Sequence, residues 1–204
     1  MKTIKINITN SSTTRTAGVV IIALLSLITA GCSTDDVAPV IPTSNDDGEN
    51  TVVIDGKTFV TQHGYMFDLG KALNNNSRNF VVDLSNGTYD GNYYSANTTT
   101  IVSIDFNSQS QSELSNGTYL MDQDTDIYGL PVQKPFTFSN AYAHVGLKYQ
   151  NGNLVGGSRY DNLIGGSITV KKITSGYEIV YDLTFSGDFH ANGKFSGKLV
   201  YFEI

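Results

Sequence analysis

The hydrophobic and polar positions of this chain alternate most clearly near its end. In YEIVYDLTFS, Tyr177, Ile179, Tyr181, Leu183 and Phe185 fall on one side and Glu178, Asp182, Thr184 and Ser186 on the other. A period of two is the signature of a half-buried β-strand. Shorter stretches repeat it at Phe80, Val82 and Leu84, at Val102, Ile104 and Phe106, at Ile168 and Val170, and at Phe195, Leu199 and Tyr201. Between them stand Asp55-Gly56, Asn86-Gly87, Asp90-Gly91, Asn116-Gly117, Asn151-Gly152 and Asn192-Gly193. These dipeptides suit the positive φ angles of tight hairpins. No window carries a sustained helical stripe, and strands do not alternate with helices, which excludes doubly wound and TIM-barrel architectures. The pattern predicts an all-β domain over 52–204, mostly antiparallel, with about eight to ten strands in a sandwich or a partly closed barrel.

The hexapeptide LSNGTY occurs at Leu84–Tyr89 and again at Leu114–Tyr119. Its flanks differ, so it reads as reused turn chemistry, Asn-Gly turning and Thr-Tyr opening the next strand, and not as a repeat architecture.

The N-terminus follows another rule. Lys2, Lys5 and Arg15 precede an apolar stretch, Ala17 to Ile28, that ends in Thr29, Ala30 and Gly31. About twelve apolar residues are too few to span a bilayer, which needs about twenty, and they match a secretory signal. Directly after them comes Cys32, the single cysteine of the 204 residues. One thiol forms no internal disulfide and supplies too few ligands for a zinc or iron–sulfur centre.

ITAGC resembles a bacterial lipobox, with Thr29 where Leu or Val is usual. The resemblance implies cleavage after Gly31, a thioether from Cys32 to diacylglycerol, and membrane attachment through that lipid; 1–31 is then a lipoprotein signal peptide. The following CSTDD resembles the acidic surface-export signal of Bacteroidota lipoproteins, with Thr34 interposed, which implies an outer-membrane protein facing the cell exterior. Residues 32–51 carry Pro39, Pro42 and five acidic residues and read as a lipidated, flexible, acidic tether. As a coil it spans roughly 24 Å.

Removing 1–31 leaves ten basic against nineteen acidic residues, a net charge of −9. Nucleic-acid binding rests on Lys and Arg neutralising phosphates, so this balance argues against DNA and RNA as partners. It also disfavours polyanionic ligands.

GGSITVKKITSGYEIVYDLTF with ANGKFSGKLVYFEI is similar to the closing strands of small β-rich surface lipoproteins of the Bacteroidota, some of them calycin-like barrels. That resemblance implies a meander of closing strands and no particular activity. The motifs that carry chemistry are sparse. Asp122, Asp124 and Asp126 are spaced like the first calcium ligands of a loop, but Ile127 and Gln133 stand where Gly and Glu are needed. His63, His144 and His190 have no zinc spacing, so no metal or cofactor is expected. A glycosidase pair such as Asp105 with Glu178 requires convergence of two solvent-face positions.

The expectation is a non-catalytic structural or interaction domain on a surface lipoprotein. The alternative is a binding module for a neutral glycan or a lipophilic ligand. A glycan would use Tyr93 and Tyr94 in the polar loop DGNYYSAN as a stacking platform; a lipid would need a hollow barrel lined by the Tyr177 to Phe185 face; a protein partner at the cell surface fits the interaction reading.

Overall fold

A computed structural model describes residues 50–204 apart from 73–75, 123, 127, 130–131 and 151–152. The signal peptide, Cys32, the tether up to residue 49 and the Asn151-Gly152 dipeptide lie outside the described residues.

Twelve strands and no helix make up the described chain. They are β1 (Thr51–Ile54), β2 (Lys57–Val60), β3 (His63–Lys71), β4 (Arg78–Ser85), β5 (Thr100–Ser108) and β6 (Gly117–Met121), followed by β7 (Thr137–Gln150), β8 (Asn153–Tyr160), β9 (Leu163–Ile173), β10 (Gly176–Phe185), β11 (Phe189–Gly197) and β12 (Leu199–Glu203). The fold is all-β, as the alternation predicts. Eleven strands follow one another in the order β12-β3-β4-β5-β7-β6-β9-β10-β11-β1-β2, with β8 paired to β7 off this path. The sheet curls strongly into a half-barrel. The count exceeds the expected eight to ten because β1 and β2 have only four residues each, too few for alternation to register, and because β12 is separate from β11. Pairing is antiparallel except for β12 with β3 and β6 with β7.

The chain passes from one flank of the curled sheet to the other where β11 becomes β12. The sequence pattern treats GKFSGKLVYFEI as one strand; the chain instead breaks at Lys198, and the two halves join opposite flanks, β11 beside β10 and β1, β12 beside β3. Glycines permit this approach. A Cβ on Gly64 would stand 2.6 Å from both Leu199 Cδ2 and the Phe195 ring, bringing β3, β11 and β12 together. A second glycine corrects the turn reading: Asn192-Gly193 is not a hairpin but the middle of β11, where a Cβ would lie 2.2 Å from the Tyr181 ring. Asp55-Gly56 does turn a hairpin, β1 to β2, with φ of 52° and 68°.

The inward face carries the core. Phe80, Val82, Leu84, Ile104, Phe106, Phe138, Ile168, Ile179, Leu183 and Phe195 join one cluster at 0–1% exposure. A hollow large enough to admit a ligand would leave its lining accessible to water. The inward side chains of β10, Ile179, Tyr181, Leu183 and Phe185, keep no more than 2% of their surface, so the face that a lipophilic ligand would need is taken up in packing.

Asp68 staples β12 to this frame. Its carboxylate is 3% exposed and accepts two hydrogen bonds from Arg78 Nε and one from Nη2, at 2.7–2.9 Å, and one from the Tyr201 hydroxyl at 2.5 Å. Tyr201 itself is 46% exposed, against the expectation that it is buried, because its ring lies over the sheet margin while only its hydroxyl reaches inward.

Candidate functional site

Strands β4 and β5 are largely buried on both faces, and at Asp83 the cover is a single loop. The alternate positions Tyr65 on β3, Asp83 on β4, Ser103 on β5 and Tyr142 on β7 form one row across the outward face. Residues 86–99, between β4 and β5, fold back over this row.

The loop is held by its own polar groups, as a compact surface loop must be. Asn86 Oδ1 accepts the amides of Thr99 and Thr100, both at 2.9 Å. Ser95 closes the middle through its amide to Thr88 O at 2.8 Å and its hydroxyl to the Thr88 amide at 3.1 Å. Gly87 packs so closely on Thr98 that a Cβ would stand 1.8 Å from its hydroxyl oxygen. At the tip, Tyr89 bridges Tyr94, and Asp90 Oδ1 accepts the amides of Asn92 and Tyr93 at 2.8 Å each, which fixes the Tyr93 backbone. The two amides hold the Asp90 carboxyl below its usual range.

Beneath the loop lies an aromatic cluster. Tyr89 packs edge-on to Tyr65, Phe67 and Phe202 with centroids 5.3–5.8 Å apart, and tilts against Tyr94 at 5.0 Å. Phe67 and Phe202 stack at 5.4 Å, which ties the cluster to β12. The Tyr65 hydroxyl accepts the Tyr89 amide at 2.9 Å.

Asp83 sits at the base of this arrangement, 7% exposed. Its Oδ2 accepts a 2.6 Å hydrogen bond from the Tyr94 hydroxyl, and its Oδ1 is buried with no hydrogen-bond partner. Burial raises the Asp83 carboxyl above its usual range, opposed by the Ser103 and Tyr94 hydroxyls. Ser103 is close enough to favour the charged form without making a bond of good geometry to Oδ1. Burial, then the neighbouring Asp83, pushes Asp105 up to about 6. Asp105 lies diagonally across the β4–β5 pair from Asp83, two residues beyond its partner Ser103.

Between loop and sheet opens a cleft of about 620 Å³, lined by Phe67, Asp83, Tyr89, Asn92, Tyr93, Tyr94, Ser95, Ala96 and Tyr149. The sequence singled out Tyr93 and Tyr94, and both line it, with different roles. Tyr93 is 78% exposed and presents its ring at the rim. Tyr94 is half-buried and its hydroxyl is taken by Asp83, so it acts as a wall. Burial and the Asp83 charge raise its hydroxyl well above the usual range.

Other candidates do not converge. Asp105 and Glu178 stand on β5 and β10, with β7, β6 and β9 between them, and Glu178 pairs with Lys194 at 3.2 Å. Asp105 is also half-buried, where a solvated position was expected. Asp122 accepts the backbone amides of Asp124 and Lys134, Asp124 pairs with Lys134, and Asp126 accepts the Tyr128 amide. Among the described residues no group of three His, Cys, Asp or Glu side chains is placed to hold a metal ion.

A second opening of about 440 Å³ lies by the β8–β9 and β10–β11 turns. Its Arg159 and Asp161 pair with each other at 3.6 Å, and none of its lining side chains holds a buried unpartnered polar atom. Sequence reasoning missed Asp83. The signal was present as an acidic residue inside the apolar run NFVVDLS. No family model, no curated protein and no solved structure matches the chain, so the cleft under the 86–99 loop is interpreted from its own residues.

Proposed function

We propose that the protein is an outward-facing outer-membrane lipoprotein, held by lipid on Cys32, whose β domain is a non-catalytic module that captures a glycan free of acidic groups. The observation that carries the capture reading is the exposed Tyr93 ring at the rim of an aromatic cleft whose base holds a buried polar group. Sugar faces stack on aromatic rings while carboxylate, amide and hydroxyl groups meet sugar hydroxyls. Asn92 and Ser95 supply such groups beside Tyr93, and the internally bonded loop holds them in place before a ligand arrives, which lowers the ordering cost of binding. The alternative of a lipophilic ligand draws no support from the filled interior.

The lipid anchor is tested directly: Cys32→Ala should move the protein from the detergent phase to the aqueous phase. Retention in the detergent phase with unchanged mass would remove the lipoprotein reading. For the cleft, an array of neutral glycans should show binding that weakens roughly tenfold in Tyr93→Ala, about 1.4 kcal/mol, the size of one lost stacking contact. Because Tyr93 is exposed, this variant should keep its melting temperature. Glycan binding that is unaffected by Tyr93→Ala would place the ligand elsewhere and leave the structural or interaction role standing.

A further inference from the structure

We propose that the cleft selects glycans bearing a free amino group, with the ligand's ammonium held against Asp83 while its ring stacks on Tyr93. This rests on the glycan reading and names the substrate class of the same site.

The argument begins with an imbalance. A buried carboxylate is stable in a protein when a cation or several donors meet it. Asp68 in this same domain shows the satisfied case, with Arg78, Tyr201 and a backbone amide around it. Asp83 is nearly as buried, yet it has one hydrogen bond, on Oδ2, and an unpartnered Oδ1. None of the ion pairs of the described residues involves Asp83 or its neighbour Asp105. Arg159, on β8, is committed elsewhere: it donates to His144 at 3.2 Å and pairs with Asp161. Asp83 alone of the two carboxyls lines the cleft, and its unpartnered oxygen, with no cation of the protein's own beside it, is an acceptor that a ligand's ammonium can complete.

The walls suit the same ligand. Tyr89, Tyr93, Tyr94, Tyr149 and Phe67 line the cleft, and aromatic faces attract an ammonium group through their ring quadrupole, most strongly where water is excluded. A neutral hydroxyl would gain little from this cage. The wider field agrees, since residues 50–204 carry fourteen acidic and ten basic side chains, which attracts cations and repels phosphate or sulfate.

The test uses the full lipidated chain in detergent and two probes of equal length, a β-1,4-linked glucosamine tetramer and its N-acetylated counterpart, titrated slightly below neutral pH. The wild-type protein should bind the free amine at least tenfold more tightly than the acetamide. Asp83→Asn keeps the shape and the bond from Tyr94 but removes the charge, and it should bring the two affinities together. Its melting temperature should not fall, because an unpaired buried carboxyl is replaced by a neutral amide; should it fall, the wild-type comparison of the two sugars decides alone.

Equal wild-type affinities for both sugars, each weakened by Tyr93→Ala, would overturn the amine selectivity and leave the glycan reading intact. A preference for the amine that persists in Asp83→Asn would overturn the role of Asp83. If neither tetramer binds, the amine inference falls, and the glycan reading falls with it only when the neutral array is also blank.

Discussion

Deleting Lys198 to Ile204 is expected to abolish folding. The segment is short, but β12 closes one margin of the curled sheet and pairs with β3 over five residues, Leu199 with Gly64 through Glu203 with Asp68. Its loss would leave the inner edge of β3 without backbone partners. It would also remove Leu199 from the Gly64 and Phe195 contact, Phe202 from its stack on Phe67, and the Tyr201 hydroxyl from the buried Asp68. Each lost apolar side chain costs up to about 1.5–3 kcal/mol, and a hydrogen bond to a charged group about the same, against a total stability of about 5–15 kcal/mol. Circular dichroism of the truncated chain should show no cooperative melting transition. An unchanged transition temperature would mean that β12 is dispensable. The expected damage reaches the cleft, because Phe202 also packs on Tyr89 at 5.3 Å under the 86–99 loop. The point variant Phe202→Ala should therefore weaken ligand binding even where the domain still folds.

The sequence made one kind of surface easy to read. Tyr177, Ile179, Tyr181, Leu183 and Phe185 all point into the core, because β10 has one packed face and one open to solvent, the condition under which alternation is informative. The same rule misread β5, where Ser103 and Asp105 look like a solvent face in IVSIDF. Ser103 is buried and Asp105 half-buried, and the row of Ser103 lies beneath a loop that begins at residue 86 on the other side of β4. No local pattern announces such a cover, since it depends on Asn86 bonding to Thr99 and Thr100 across the loop.

The candidate site divided along the same line. Tyr93 and Tyr94 drew notice as a polar-loop aromatic pair, and the structure places both on one cleft, but adjacency in sequence concealed opposite roles. A hydrogen bond to Asp83 turns Tyr94 inward and leaves Tyr93 facing out. The two LSNGTY copies make a related point: Leu84 and Leu114 are both buried, yet the first copy ends β4 and enters the loop, whereas the second leads into β6 and buries Tyr119 completely. Identical local chemistry was fitted to different tertiary surroundings, and those decided the outcome.

The acidic pair Asp83 and Asp105 should also make the domain less stable as pH rises. An acid whose folded-state pKa lies above its unfolded value of about 3.9 holds its proton more firmly when folded, so stability is highest below that value and declines until the folded pKa is passed. Asp105, raised to about 6 by burial and by Asp83, places this decline between about pH 4 and pH 6, and Asp83, raised by burial, extends it. Two units correspond to about 3 kcal/mol, and partial solvent contact at Asp105 reduces the expected loss to roughly 2 kcal/mol. Groups held below their usual range act in the opposite sense: Asp90, through the Tyr93 and Asn92 amides, and two others. Asp68 pays for burial but is held below its usual range by Arg78, Tyr201 and the Gly70 amide, so its contribution is lost only as pH falls below about 4. His144, lowered by burial and by Arg159, favours the folded state above its unfolded pKa of about 6.5 and loses that contribution as pH falls. The decisive comparison is therefore with Asp105→Asn, in which the Asp90, Asp68 and His144 contributions cancel. Urea denaturation at pH 4.5 and pH 7.5 should show the variant gaining roughly 1 kcal/mol on the wild type between the two, the part of the loss that falls in that interval. A constant difference across that range would mean that Asp105 keeps an ordinary pKa and that burial does not shield it from water.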